Sequence, residues 1–196
     1  MNQDLIEKIK KLREETGAPI NLCKEALEQS QYDLNLAKDY IIKKGETLIS
    51  KKEDKKTGFG IIEGYIHFNG RVGALVELRS ETDFVAKNEE FKKLAHEIAL
   101  QVATMRPLYI SPDQIPDEIK QSKIEELEKE FKEKTEDVRK KIIESKMQKW
   151  YEEICLVEQR YFKNEDLKIK DLIHQAVNKF GEKIEIKRFV RLDIND

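Results

Sequence analysis

Apolar residues change their spacing twice along this chain, and one type of secondary structure cannot bury all three patterns. Up to Ile41 they recur every three or four positions, between Ile62 and Leu78 they alternate, and from Phe91 onward helical spacing returns. A helical stripe and an alternating face need different partners, so the fold class is α+β: helices first, then antiparallel strands packed with further helices. Lys51-Lys52-Glu53-Asp54-Lys55-Lys56-Thr57-Gly58 separates the first two patterns, has no apolar residue to anchor it, and reads as a linker. The expected organisation is a three-helix module over 1–50, a charged linker over 51–58 and a core domain over 59–196.

In the module, Asp4 and Glu7 form a capping box ahead of Leu5, Ile9 and Leu12, and Gly17 stops the first helix. Pro19 suits a first helical position, and Cys23, Ala26 and Leu27 share one stripe of the second helix. Asp33 caps a third, with Leu34, Ala37 and Ile41 on one face and Gly45 as its end. A core this small has no need to house both Ile20 and Leu22, and an apolar corner left outside would be a docking site.

In the core, Ile62, Gly64 and Ile66 alternate with Glu63, Tyr65 and His67, and Val72 to Leu78 alternate in turn, with a turn near Asn69-Gly70. A loop of odd length with Gly70 in the left-handed region would gather the apolar residues of both strands on one face. Phe91, Leu94, Ala95, Ile98, Val102 and Met105 follow at helical spacing. Three prolines interrupt the chain around Leu108-Tyr109-Ile110. A charged stretch near 116–160 then reads as a projecting helical hairpin, with Ile124, Leu127 and Phe131 facing Val138, Ile142, Met147 or Trp150. A helix over Ile169 to Phe180, stopped by Gly181, and a strand over 184–192 complete the core, the strand joining the earlier hairpin's sheet.

Thirty-seven Lys and Arg nearly cancel 39 Asp and Glu, so no basic field favours nucleic acid. No apolar run is long enough for a bilayer, and Met1-Asn2-Gln3-Asp4 lacks the basic start of a signal peptide, so a cytoplasmic location without membrane contact is expected. Cys23 and Cys155 are far apart, each in a helical pattern, and read as reduced, packed thiols. His96-Glu97 is followed by Leu100 where a metal-binding helix would need its second histidine, and Gly58, Gly60 and Gly64 miss the dinucleotide spacing. Without a paired nucleophile and base either, the expectation is a protein that is not an enzyme, with no metal site and no cofactor.

Thr82-Asp83-Phe84-Val85-Ala86-Lys87-Asn88 joins strand pattern to helix pattern with no Gly or Pro. Two readings stand. Thr82 or Asp83 caps a first helical turn and Phe84 packs into the core, or Phe84 stands on a rigid corner as a wedge for a partner.

Several separated motifs resemble one family in order along nearly the whole chain. Leu12-Arg13, Thr16-Gly17-Ala18, Cys23-Lys24 and Ala26-Leu27 look like the N-terminal motif of bacterial elongation factor Ts; alone, they would suggest a ubiquitin-associated-like three-helix fold. Thr82 to Asn88 followed by Phe91 resembles the signature of that family's core. Leu156-Val157-Glu158-Gln159, Gly181-Glu182-Lys183-Ile184 and Arg188-Phe189-Val190-Arg191 are similar to its C-terminal pattern. The resemblance implies a guanine nucleotide exchange factor for elongation factor Tu, with Asp83 and Phe84 entering the partner near its magnesium site and Thr82, Val85, Ala86, Lys87 and Asn88 holding the corner rigid. It also implies partner contacts at Ile20, Asn21 and Leu22. There the chain departs from the family pattern: Pro19 replaces a common glycine, Asn21 is polar and Leu22 stands where an aspartate is usual. The core resembles short forms with one core subdomain, which pair as homodimers through the C-terminal strand or the projecting hairpin. The competing reading is a non-exchanging adaptor that binds through the three-helix module.

Overall fold

The computed structural model describes residues 3–51 and 54–195, with side chains throughout except at 46–51. Helices α1 (Gln3–Thr16), α2 (Ile20–Gln29) and α3 (Leu34–Lys51) come first. Their stripes converge on a cluster of Ile9, Leu12, Ala18, Cys23, Ala26, Leu27, Ala37 and Ile41, against which Leu22 and Leu34 pack. The Gly17 N–H bonds the Arg13 carbonyl at 2.8 Å and ends α1, while Asp33 Oδ1 accepts the Asn35 and Leu36 N–H groups at 2.8 and 2.9 Å and starts α3. Two local expectations shift. Asp4 lies inside a helix already running at Gln3, so it meets the helix dipole rather than capping from outside, and Pro19 takes the N-cap position one residue ahead of α2.

Strands β1 (Phe59–Ile66) and β2 (Val72–Ser80) form the hairpin. Gly70 turns it with φ +67°, a region a side chain would resist. The expected single apolar face does not form. The His67 N–H bonds the Val72 carbonyl at 2.8 Å, which closes a loop of even length over 68–71 and sets Gly64 against Leu75 and Gly73 against Ile66. Ala74, Val76, Leu78 and Ser80 of β2 point inward, whereas Ile62, Ile66 and Leu75 stand exposed on the opposite face.

A single turn, α4 (Asp83–Ala86), leads to α5 (Glu89–Met105), whose Phe91, Ala95, Ile98, Ala99 and Val102 are fully buried. Helices α6 (Asp117–Glu130) and α7 (Glu136–Ile154) pair as expected, with Leu127 and Met147 buried, while Val138 stands exposed. A short ribbon then appears that the apolar pattern does not mark: β3 (Arg160–Tyr161) pairs antiparallel with β4 (Asn164–Lys168). It starts beyond buried Gln159, whose amide donates to the Met105 and Glu153 carbonyls at 3.2 and 2.9 Å. Helix α8 (Ile169–Phe180) ends at Gly181, and β5 (Ile184–Asp193) completes a three-stranded sheet of order β1-β2-β5. Mixed helices and antiparallel strands make the fold α+β.

The chain divides into two compact units. One gathers residues up to Glu63 with Val76–Glu97 and Lys170–Lys187; the other gathers Gly64–Leu75, Ile98–Ile169 and the segment from Arg188 onward. Within the first, α3 runs past Gly45 to Lys51, because this glycine serves a close approach rather than a stop. A Cβ on Gly45 would lie 2.9 Å from Asn178 Nδ2 and 3.0 Å from His174 Cβ, and Asn178 Nδ2 donates to the Ile41 carbonyl at 3.0 Å. The expected linker therefore begins inside α3 at Lys51; Lys52 and Glu53 lie outside the described residues. Its far end is tied down by Thr57, a buried residue whose hydroxyl donates to the Glu185 carboxylate.

Both cysteines are free and buried. Burial pushes the Cys155 thiol up to about 11, with the Glu158 and Asp113 charges adding to it, and burial also raises Cys23. These are inert packing thiols at neutral pH.

Helix propensity alone would make Gly45→Val stabilising. The close α3–α8 approach predicts the opposite, a loss of about 1–3 kcal/mol from overpacking. Urea unfolding decides, and unchanged or increased stability would contradict the approach.

Candidate functional site

Where β2 ends, the backbone loses its ladder partners before α5 can supply helical ones, and the seven residues from Thr82 to Asn88 meet that need locally. Thr82 is extended (φ −126°, ψ 159°) and caps α4, its hydroxyl oxygen accepting the Val85 N–H at 3.5 Å. The Ala86 and Lys87 N–H groups bond the Thr82 and Asp83 carbonyls at 3.3 and 3.0 Å. Asn88 caps the next helix: its Oδ1 accepts the Glu90 N–H at 2.8 Å and its carbonyl accepts the Lys92 N–H at 3.1 Å. Val85 and Ala86 are buried and anchor the turn below. Two caps, two buried side chains and a single helical turn leave this corner little freedom.

Phe84 is the exception, with 83% of its surface exposed. The capping half of the first sequence reading holds, through Thr82. Its other half, the Phe84 ring in the core, does not, because Val85 and Ala86 take the inward positions of the turn and the ring is left on the outer side. Beside it Asp83 Oδ2 pairs with Lys87 Nζ at 2.7 Å, one turn apart on the helix. That ammonium bond, helped by backbone N–H groups of Asp83 and Phe84, holds the Asp83 carboxyl below its ordinary range. At neutral pH the corner presents an apolar ring next to an ionised carboxylate.

The corner is fastened to the end of α8. The Thr82 N–H donates to Glu182 Oε2 at 3.0 Å and the Thr82 hydroxyl to Glu182 Oε1 at 2.6 Å, while the Lys183 N–H donates to Glu81 Oε1 at 2.6 Å. Phe91 meets Phe180 edge-on at 6.5 Å, and Lys179 pairs with Glu90. Glu81 and Glu182 are absent from the site read from the sequence. Gly181 marks a helix end, but nothing local to Glu182 points to a threonine a hundred positions earlier.

The other candidate residues lie at the start of α2. Ile20 is half exposed, Asn21 is exposed, and Leu22 packs against the three-helix core. Among the described residues no group of three or more His, Cys, Asp or Glu side chains could hold a metal ion. Nor is any described helix long and apolar enough to cross a membrane. The corner thus presents an exposed ring beside a carboxylate paired with Lys87.

The sign of the Asp83 shift sets a test. A depressed carboxyl favours the folded state above the unfolded-state pKa, and the contribution disappears as pH falls through the folded value; exposure keeps it small. NMR titration of the Asp83 carboxyl should give a midpoint below the ordinary aspartate value, and Lys87→Ala should move it up. An unchanged midpoint in that variant would remove Lys87 as the cause.

Comparison with known proteins bears on the whole chain. A family model described as elongation factor TS matches residues 3–196. The chain is 45% identical over 188 residues to elongation factor Ts of Thermotoga petrophila, covering 96% of this chain and 94% of that protein. Against elongation factor Ts of Syntrophus aciditrophicus it is 43% identical over 190 residues, with 96% and 94% covered. Against that of Thermosipho melanesiensis it is 40% identical, with 96% and 97% covered. With a doubly capped corner where the signature segment lies and similarity along almost its full length, this chain belongs to the elongation factor Ts family.

Proposed function

We propose that this chain is a guanine nucleotide exchange factor of translation elongation, acting in the cytoplasm, that binds elongation factor Tu and speeds release of its GDP. Phe84 and Asp83 are the residues that disturb the partner's magnesium and nucleotide site. One observation carries the reading: a large apolar ring stands in water on a corner whose other residues are capped, paired or buried.

An exchange factor works by binding the nucleotide-free partner more tightly than the nucleotide-bound one, and by linkage nucleotide and factor weaken each other's hold. Magnesium keeps near-octahedral geometry with short bonds, so a small displacement of the backbone around it raises the free energy of the bound nucleotide steeply. A ring on a stiff corner can impose such a displacement; on a loose loop it would yield instead. Asp83 places a negative charge next to the ring. No covalent bond is made or broken, and this chain supplies position and charge alone.

The three-helix module over 1–50, joined through 51–58 to the core over 59–196, supplies the second contact, with Ile20 as its apolar point and Asn21 and Leu22 beside it. Exposed Ile20 also fits a non-exchanging adaptor that uses the module alone. The readings part at Phe84, since an adaptor would be indifferent to it.

A homodimer is part of the proposal. In the second unit Ile66, Leu75, Val190, Leu192 and Ile194 are exposed around a shallow apolar groove of about 490 Å³, and a second copy's β5 face is an occupant of matching chemistry. Light scattering after gel filtration should give twice the chain mass at micromolar concentration, and Leu75→Glu should halve it. A monomeric parent protein withdraws the dimer.

Stopped-flow release of a fluorescent GDP from elongation factor Tu at fixed magnesium tests the exchange reading. Acceleration should rise with the concentration of this chain. An aromatic anchor is worth about 2–4 kcal/mol, so Phe84→Ala should slow subsaturating exchange by a factor of tens to hundreds, and Asp83→Asn by less. Equal rates for all three proteins would end the wedge mechanism; no acceleration at all would put the adaptor first.

A further inference from the structure

Helix α8 touches the first turn of α5 in two ways that need nothing from Glu182: the Phe91–Phe180 ring contact and the Lys179–Glu90 pair. Glu182 reaches past both to the residue immediately before Asp83. Its two oxygens divide the two donors of Thr82, Oε2 taking the backbone N–H and Oε1 the hydroxyl. With its proton directed at Glu182, the hydroxyl turns its lone pairs toward the Val85 N–H inside α4. A chain of hydrogen bonds thus runs from the end of α8 into the turn that carries the ring. The Lys183 N–H to Glu81 bond runs the opposite way one residue further out, so residues 81–82 and 182–183 grip each other reciprocally.

We propose that Glu182 is a positioning residue for the Phe84 corner, and that the Thr82–Glu182 fork, rather than packing of the ring, sets the direction in which Phe84 points. This rests on the exchange reading above. The physical reason is leverage. Phe84 is exposed, so the core does not hold its ring, and its direction depends on the backbone from Thr82 onward. Bonds to an ionised carboxylate are shorter and stronger than neutral ones, and a bidentate arrangement fixes orientation as well as distance. Glu182 and Thr82 are both partly buried, so water competes less for these bonds than at an open surface.

Glu182→Ala, Glu182→Gln, Phe84→Ala and the double variant Glu182→Ala/Phe84→Ala are compared in two measurements. The first is GDP release from elongation factor Tu against factor concentration, at subsaturating levels. Glu182→Ala removes both bonds and should lower the slope about tenfold, a change of the size that one charged hydrogen bond can carry. Glu182→Gln, which can still accept the Thr82 N–H, should recover most of it. In the Phe84→Ala background, Glu182→Ala should change the slope less than about twofold, because a residue that acts through the ring has nothing left to direct. The second measurement needs no partner. Amide hydrogen exchange over Thr82–Asn88 should speed up in Glu182→Ala while the middle of α5 keeps its protection.

Wild-type slope in Glu182→Ala overturns the proposal, as does an equal loss with and without Phe84, since a merely structural residue would act independently of the ring. If Glu182→Ala does not fold, Glu182→Met, which keeps the side-chain length but removes both acceptors, carries both measurements, and unchanged amide exchange at the corner with an unchanged slope overturns the proposal. If Phe84→Ala itself exchanges like wild type, the wedge reading has failed. Amide exchange then judges the positioning alone, faster exchange confined to the corner supporting it and unchanged exchange sinking it.

Discussion

Thr82 gives both its hydrogen-bond donors to one carboxylate, and the order of the strand-to-helix junction follows from that commitment. Between the last ladder bond of β2 and the first helical bond of α5, backbone groups must be satisfied without a regular element. The chain solves this with a single turn capped by Thr82 and a second cap at Asn88. Val85 and Ala86 then point down and Phe84 points out, because on so short a turn the inward positions are already taken. Exposure of the ring is thus a consequence of how the corner closes, and Lys87 lowers the pKa of the neighbouring Asp83 carboxyl while the ring stays exposed.

The sheet meets a different constraint. Three strands provide two faces, and the even loop over 68–71 puts apolar residues on both. Ala74, Val76 and Leu78 go to the core, while Ile66, Leu75, Val190 and Leu192 stay outside. An antiparallel sheet with one solvated face normally alternates apolar and polar residues. β5 keeps alternation of a kind, yet Val190 and Leu192 occupy its outer positions. The outer face of this sheet thus leaves apolar side chains in water.

How much of this could be read from residues alone depends on the range of the interaction concerned. The stripes of α1, α2, α5 and α8 are legible because a helix repeats every 3.6 residues and its partner face need not be known. The signature corner was legible as a place, since a strand gave way to a helix there without Gly or Pro, but the direction of Phe84 was not. Direction depends on which of four consecutive side chains the core accepts, and spacing over one turn does not decide that. The hairpin misled for a related reason: with apolar residues on both faces of β1 and β2, alternation cannot set the register. Gly45 misled because the same residue stops helices and lets them approach, and only the presence of α8 tells the two apart. Glu182 lay out of reach altogether, its role fixed by a contact a hundred residues away.

Helix α8 has one further consequence through the amide of Asn178, which holds the Ile41 carbonyl one turn before Glu182 holds Thr82. Helix α8 and the residues that directly follow it therefore anchor the three-helix part of the chain and the ring-bearing corner. For a partner that meets both, the second encounter becomes intramolecular, and its probability is set by an effective concentration rather than by the bulk one. Substitutions along α8 can therefore weaken avidity while leaving every contacting residue in place.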